Sequence, residues 1–192
     1  MKFYSELMRY YEYVFPLAPL KVAWLKNFIY ENRVSSLLDV GCATGDLCEV
    51  MTHVVPKVNG FDLDQAMILK AKRQYPECES VFSEGNMLDM SGLFSGETYD
   101  LITCFGNTMV HLPTTELLKA LVQIKNKLNS NGCFIGQIIN YDYVFKASIR
   151  ELPLIDNTTI RFDRSYDWEL ESELSFKTKL TVKDTGDEYD NE

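Results

Sequence analysis

The chain has 192 residues, enough for one domain with a sizeable core and too few for two ordinary ones. It is 46% hydrophobic and 24% charged, the balance of a soluble globular protein, and a net charge of −9 without a basic run argues against nucleic acid as a partner. Cys42, Cys48, Cys78, Cys104 and Cys133 are scattered and odd in number, with only His53 and His111 besides, so the reading is no metal site and a reducing, cytoplasmic home.

Residues 3–15 read as one aromatic helix ended by Pro16, with Leu7, Tyr10, Tyr11 and Val14 on a common face. Lys2, Glu6, Arg9 and Glu12 break any signal-peptide pattern there, and no apolar run in the chain is long enough to span a membrane. A second helix starts near Pro19 and is expected to bury Leu20, Ala23, Trp24 and Phe28.

Leu37-Leu38-Asp39-Val40-Gly41-Cys42-Ala43-Thr44-Gly45-Asp46-Leu47 organises the rest of the chain. Its apolar start is the end of a strand buried on both faces, and Gly41 and Gly45 bracket a tight turn. Asp46 stands where an N-cap would, and Leu47, Val50 and Met51 come next at helical spacing. Strand, glycine turn and helix in this order form the nucleotide-binding corner of a doubly wound fold. A dinucleotide's pyrophosphate is disfavoured, because Asp39 and Asp46 flank the turn and repel an anion. The G-x-G-x-x-G spacing fails as well, at Ala43 and Asp46. That weakens a nicotinamide oxidoreductase reading.

Asp39-x-Gly41-x-Ala43-x-Gly45 resembles the first motif, D/E-x-G-x-G-x-G, of the class I S-adenosylmethionine-dependent methyltransferases, with Ala43 in place of the middle glycine. The resemblance implies that Asp39, Gly41, Cys42, Ala43 and Gly45 hold the methionine part of S-adenosylmethionine, whose ammonium needs an anionic or carbonyl partner. Small-molecule methyltransferases of this kind often open with a tyrosine-rich helix that closes over the cofactor, which makes Tyr11 a candidate near the transferred methyl; the alternative is plain packing.

Further along, 57–61 is a second strand closed by Asp62-Leu63-Asp64. Asp62 lies 62 − 41 = 21 positions after Gly41, close to the ~20 expected of a ribose-binding acid, and a carboxylate suits a vicinal diol. The competing role for Asp62, a helix cap, is better filled by Asp64. Leu63 and Met67 are expected beside the cofactor, Met67 on a helix face with Ala71 and Tyr75. Residues 79–83 form a third strand, and Gly85-Asn86-Met87-Leu88-Asp89 resembles the family's adenine loop, with Asn86, Met87 and Asp89 as its contacts.

Tyr99-Asp100-Leu101-Ile102-Thr103-Cys104-Phe105-Gly106-Asn107 reads as a fourth buried strand running into a glycine turn. By resemblance Cys104, Phe105 and Gly106 touch the cofactor and Asn107 borders the acceptor; His111 is a possible base or an ordinary surface histidine. Asp100 is structural. A helix from Pro113 with Leu117, Leu118, Leu121, Ile124 and Leu128 buried is ended by Asn131-Gly132, and 133–139 makes a fifth strand. Asn140-Tyr141-Asp142 is similar to a segment of glycine-methyltransferase-like enzymes, which implies that Asn140 and Tyr141 contact the acceptor.

From Thr158 the rhythm becomes period two, through Ile160, Phe162, Tyr166, Leu170, Leu174, Phe176, Leu180 and Val182, and reads as two or three antiparallel strands. The predicted fold class is α/β: a doubly wound, mostly parallel Rossmann-like sheet with a small C-terminal antiparallel add-on. The predicted organisation is a cofactor-binding domain over 1–150 with a helical lid at 1–33, an extension over 151–183 and an acidic mobile tail over 184–192. The family's last helix and strands have no sequence left to form them, so a truncated chain is one expectation. Another is that the period-two segment pairs with the fifth strand's open edge or mediates a dimer. The predicted activity is methyl transfer from S-adenosylmethionine to an N or O nucleophile of a small molecule, by a monomer or homodimer. A non-catalytic cofactor-binding module or regulatory subunit is the alternative.

Overall fold

The helices and strands start and stop where local chemistry dictates. The computed structural model describes residues 2–168 and 174–191. Its elements, in chain order, begin with helices α1 (Lys2–Arg9), α2 (Tyr11–Val14) and α3 (Pro19–Asn32), strand β1 (Ser36–Val40) and helix α4 (Asp46–Thr52). Next come β2 (Lys57–Asp62), α5 (Gln65–Gln74), β3 (Phe82–Glu84), β4 (Tyr99–Cys104), α6 (Thr114–Lys127), β5 (Leu128–Gly136) and α7 (Tyr141–Lys146). Four more strands complete the chain: β6 (Ile155–Asp156), β7 (Ile160–Asp167), β8 (Ser175–Val182) and β9 (Glu188–Asn191). Two compact units result, residues 17–139 and residues 1–16 with 140–192.

The 17–139 unit is built on a parallel sheet in the order β3-β2-β1-β4-β5. All five residues of β1 are buried, as a central parallel strand requires. Successive strands run outward from β1 in opposite directions, so the chain order reverses between β1 and β4. Ligands in such sheets lie outside the carboxyl ends of the strands at that switch point. Leu37, Leu47, Met51, Ile68 and Phe82 belong to one core cluster, and Leu38, Val40, Phe61, Ile102 and Ile124 to a second. Asp100 ties the sheet's other end: its carboxylate accepts from Ser35 N (2.9 Å), Ser35 Oγ (2.7 Å), Ser36 N (3.1 Å) and Asn129 Nδ2 (2.6 Å).

Several expectations need correction. α3 buries Leu25 and Ile29, while Leu20 is 85% exposed and Trp24 half-exposed; the apolar residues run nearly all round the helix, so its pattern does not fix a face. α6 buries Ala120, Ile124 and Lys127, not Leu118, which is 72% exposed. Lys127 belongs on the buried side because its ammonium donates to the Leu93 and Phe94 carbonyls. Asn131-Gly132 does not end that helix; it lies inside β5, where the register against β4 shifts between Tyr99 and Leu101. Glycine fits there because a Cβ would meet the Tyr99 carbonyl oxygen at 2.8 Å.

In the other unit, β6-β7-β8-β9 form a separate antiparallel sheet, and Leu170 of the predicted pattern lies outside the described residues. The sheet does not extend β5: among the described residues β5 pairs with β4 alone. The acidic end is not a loose tail, since β9 pairs with β8 and Lys179 holds Glu188 at 2.8 Å. The predicted N-terminal helix is broken at Tyr10 into α1 and α2. Phe3, Leu7, Tyr10 and Val14 pack with Ile160, Phe162 and Leu180. Residues 1–16 thus cluster with 140–192, so neither 1–33 nor 1–150 is one compact piece.

Candidate active site

The carboxyl ends of β1 and β4 meet at the switch point, with those of β2 and β3 beside β1, and the turn after β1 is left-handed at three positions. Gly41 (φ 76°), Ala43 (φ 47°) and Gly45 (φ 82°) are all left-handed. Glycine at 41 and 45 is also demanded by packing, because a Cβ would fall 2.6 Å from the Thr108 side chain and 2.6 Å from the Phe82 ring. Ala43 takes the same conformation with a Cβ and bears the strain. The N-cap of α4 is Gly45 rather than Asp46.

Asp46 points into the protein instead: it accepts from Thr44 Oγ1 (2.6 Å), Tyr75 OH (2.6 Å) and Gln74 Nε2 (3.2 Å). Asp39 is only 4% exposed and stands behind the turn, its Oδ1 accepting from Thr103 Oγ1 at 2.7 Å and its Oδ2 facing Cys48 Sγ at 4.0 Å. Burial pushes the Asp39 pKa up to about 6 against the pull of Thr103 and Lys21, with Asp62 adding to the rise. Both acids that flank the turn in sequence thus have their carboxylates engaged by protein groups. Cys42 and Cys48 are buried beside Asp39; the hydrogen bond between the two thiols lowers the Cys42 pKa and raises that of Cys48, and burial and Asp39 push both up, so both end above an ordinary thiol.

Asp62 is the acid that opens to the crevice. Its Oδ2 accepts the Ala43 amide and its Oδ1 the Asp64 amide, both at 2.9 Å. Each oxygen keeps a second lone-pair direction, so the carboxylate is oriented without being saturated. Asp64 fills the helix-cap role, accepting from Ala66 N at 2.8 Å. Leu63 is 69% exposed and Met67 half-buried at the start of α5. After β3, Asn86 Oδ1 accepts from Leu88 N (2.9 Å), and Asp89 accepts from Ser91 Oγ (2.7 Å), which lowers its pKa. Met87 packs on the core cluster that contains Phe61 and Met90.

On the β4 side, Cys104 is buried, Phe105 half-buried and Gly106 left-handed (φ 71°). Asn107 is left-handed too (φ 69°), and its Oδ1 accepts from Ile139 N at 3.0 Å, tying the end of β4 to the chain beyond β5. His111 is exposed at the end of a short 3-10 turn. The remaining candidates lie in the other unit. Asn140 caps α7, accepting from Tyr143 N at 3.0 Å, and the Tyr141 ring centroid is 6.0 Å from that of Tyr166. The Tyr11 ring lies 5.2 Å from that of Phe15. Thus Asp39, Gly41, Cys42, Ala43, Gly45, Asp62, Leu63, Met67, Asn86, Met87, Asp89 and residues 104–107 share one unit, whereas Tyr11, Asn140 and Tyr141 share the other.

Sequence reasoning missed Lys21. Its ammonium lies 5.2 Å from the Phe105 ring centroid and attracts the Asp39 carboxylate, so it brings a cation to the same strand ends. A single lysine in the otherwise apolar opening of α3, Pro19-Leu20-Lys21-Val22-Ala23-Trp24, was the available signal. Thr103 and Thr108 were missed as well; Thr108 Oγ1 donates to the Phe105 carbonyl at 2.8 Å and fills the space beside Gly41.

A family model described as "Methyltransferase domain" matches residues 37–132, half of the chain and the stretch that carries these strand ends. The chain is 27% identical to glycine N-methyltransferase of Mus musculus over 138 residues, which is 65% of this chain and 47% of that enzyme. It therefore spans about half the length of the curated relatives it matches. A crystal structure of an S-adenosylmethionine-dependent methyltransferase from Clostridium acetobutylicum ATCC 824 superposes with a TM-score of 0.75 at 20% identity, covering 98% of this chain and 79% of that one. The S-adenosylmethionine-bound amino pentose methyltransferase CalS10 from Micromonospora echinaspora gives 0.72 at 20% identity, covering 94% and 77%. With the family model matched over β1–β5 and the Rossmann-like sheet in place, the chain belongs to the methyltransferase domain family, the class I S-adenosylmethionine-dependent methyltransferases.

Proposed function

We infer that this chain transfers a methyl group from S-adenosylmethionine to a nitrogen or oxygen of a small molecule. The observation that carries the reading is Asp62: a carboxylate at the end of β2, oriented by two backbone amides and still able to accept from two hydroxyls, within the matched family segment. The names of the relatives, a glycine N-methyltransferase and an amino pentose methyltransferase, favour an amine among the possible acceptors.

The residues fit the cofactor part by part. Asp62 takes the ribose diol, and the left-handed turn 41–45 leaves a backbone surface for the methionine portion. Lys21 supplies a cation for its carboxylate, and the negative field of Asp39 behind the turn favours its ammonium and opposes a pyrophosphate. Asn86, Met87, Asp89 and Leu63 frame the adenine, and Met67, Cys104, Phe105 and Gly106 complete the wall. When bound, S-adenosylmethionine supplies an electrophilic methyl and leaves as a neutral thioether. The chain's task is then to position the acceptor and exclude water, with no residue required to stabilise an oxyanion. Within the 17–139 unit, Asn107 is assigned to the acceptor and His111 to orienting or deprotonating it. Five unpaired cysteines support a cytoplasmic setting, and the net charge of −9 a small-molecule partner over a nucleic acid.

Calorimetry with S-adenosylhomocysteine, AMP and NAD tests the cofactor class. S-Adenosylhomocysteine should bind and NAD should not, and Asp62→Ala should weaken binding by about 1–3 kcal/mol, the cost of stranded hydrogen-bonding groups. Undiminished affinity in that variant removes the ribose assignment. Methyl transfer to a panel of small amines and alcohols separates an enzyme from a binding module.

A further inference from the structure

The glycine turn after β1 is tied to the far end of α5. Thr44, 1% exposed, donates from Oγ1 to Asp46 Oδ2 at 2.6 Å. The other carboxylate oxygen, Oδ1, accepts from Tyr75 OH at 2.6 Å and from Gln74 Nε2 at 3.2 Å, and Gln74 Nε2 also reaches the phenol oxygen at 2.9 Å. Thr44 and Asp46 stand on either side of Gly45, the N-cap of α4, whereas Gln74 is the last residue of α5 and Tyr75 its C-cap. Burial and the adjacent Asp46 carboxylate push the Tyr75 pKa up, so the phenol stays a donor well above neutral pH. A carboxylate in the first turn of a helix is favourable by itself, so a phenol 29 positions along the chain adds a tie between elements, not a cap.

Packing closes on the same point. A Cβ at Gly45 would fall 2.6 Å from the Phe82 ring and 3.1 Å from Ala71 Cβ, and the Tyr75 ring centroid lies 6.5 Å from that of Phe82. The other end of α5 belongs to Asp62: its Oδ1 accepts the Asp64 amide, Asp64 caps α5 through Ala66 N, and Asp62 Oδ2 accepts the Ala43 amide. A ring of contacts results, from Ala43 to Asp62, along α5 to Tyr75, through Asp46 to Thr44 and back to Ala43 beside it. The strut in that ring is a helix of 10 residues, about 15 Å long. A bond at Tyr75 therefore constrains the separation of the turn and the Asp62 carboxylate, and ordering the two before a ligand arrives lowers the cost of binding to both.

We propose that Tyr75 is a positioning residue for cofactor binding: through Asp46 and Thr44 it fixes the 41–45 turn relative to Asp62, and so sets how tightly an adenosyl ligand is held. The assignment rests on the cofactor reading of the turn and of Asp62, and every residue in it belongs to the 17–139 unit.

Calorimetry with S-adenosylhomocysteine and amide exchange on the ¹⁵N-labelled full chain test it. Tyr75→Phe keeps the ring against Phe82 and removes the hydroxyl. It should weaken S-adenosylhomocysteine binding about five- to tenfold and, without ligand, speed exchange of the Ala43 amide by a similar factor. The Gly41 and Cys42 amides, both bonded to the Phe61 carbonyl on β2, should keep their rates, which a general loss of stability would not allow. Ile124→Val, in the second core cluster, supplies such a general loss and should bind undiminished. Thr44→Val should weaken binding to a like degree, and the Thr44→Val, Tyr75→Phe double variant should be no weaker than either alone, because both hydroxyls act through one carboxylate. Undiminished binding in Tyr75→Phe, Ala43 exchange that tracks Gly41 and Cys42, or effects of the two substitutions that simply add, overturn the proposal. A wild-type chain that binds no S-adenosylhomocysteine removes the cofactor reading and this assignment with it, whereas wild-type binding that Tyr75→Phe leaves unaltered removes the assignment alone.

Discussion

Asp39→Asn is expected to make the ligand-free protein more stable and its ligand binding weaker. Asp39 is almost fully buried, and burial raises its pKa from an ordinary 3.8 to about 6. At about 1.36 kcal/mol per pH unit, keeping it ionised costs about 3 kcal/mol at neutral pH. The sign comes from proton uptake. The folded state holds the proton more tightly than the unfolded chain, so the cost is absent below about pH 3.8, grows as pH rises to about 6, and continues to its full value above that. Asparagine retains an acceptor for Thr103 Oγ1 and carries no charge. Urea melts of both proteins between about pH 4.5 and 7.5, a window around the titration, should show Asp39→Asn ahead by up to about 3 kcal/mol at the alkaline end. The gap should close towards the acid end. A gap that is independent of pH, or a variant that is less stable at the alkaline end, refutes the dominance of burial at this carboxylate. S-Adenosylhomocysteine affinity should fall in the same variant, since the field behind the turn is lost.

Other outcomes rest on individual contacts. Ala43→Gly should stabilise the chain by about 0.5–1 kcal/mol in thermal melts, because relief of the left-handed strain at φ 47° exceeds the added chain entropy of glycine. Asp100→Ala should cost about 1–3 kcal/mol by stranding the Ser35, Ser36 and Asn129 donors. The Ser35 bonds hold the Asp100 pKa well below the carboxylate range, so its contribution is present above about pH 4 and is lost only as pH falls towards that depressed value; acid titration of the two proteins should show their stabilities converging there. Lys21→Met should reduce S-adenosylhomocysteine affinity about tenfold in calorimetry and move the Asp39 titration to higher pH, because one of the influences that keep Asp39 ionised is gone.

The parallel sheet was legible because its signal is redundant. β1 and β4 are short, largely apolar runs that lead into glycine turns, β2 ends in an acid, and Asp62 falls at the spacing a ribose acid needs. Amphipathic helices were less legible. α3 carries apolar residues nearly all round, and α6 buries the stem of Lys127 while exposing Leu118, so the count of apolar positions misplaced both faces. The antiparallel strands were visible as a period, but their partners were not. Period two states that one face is buried and does not state by what, and here helices α1 and α2 supply Phe3, Leu7, Tyr10 and Val14 to cover β7 and β8.

The same limit applies to charge at the glycine turn. Sequence places Asp39 and Asp46 on either side of the turn and suggests two carboxylates facing a ligand. In the structure Asp46 is held by Thr44, Gln74 and Tyr75, and Asp39 by Thr103 behind β1. A pyrophosphate at the turn would still meet their charge, because Coulomb interactions in a poorly screened interior reach past one layer of atoms. Asp62, the proposed ribose acid, takes its orientation in part from the amide of Ala43, the residue that departs from the family motif. The turn holds Ala43 left-handed against the preference of its methyl, and its N–H orients Asp62, so turn strain and the orientation of the proposed ribose acid meet at one residue. Ala43→Gly therefore offers a direct comparison. If its added stability comes with a looser Asp62 and weaker S-adenosylhomocysteine binding, the alanine is a functional choice; if affinity is unchanged, the strain has no part in holding the cofactor.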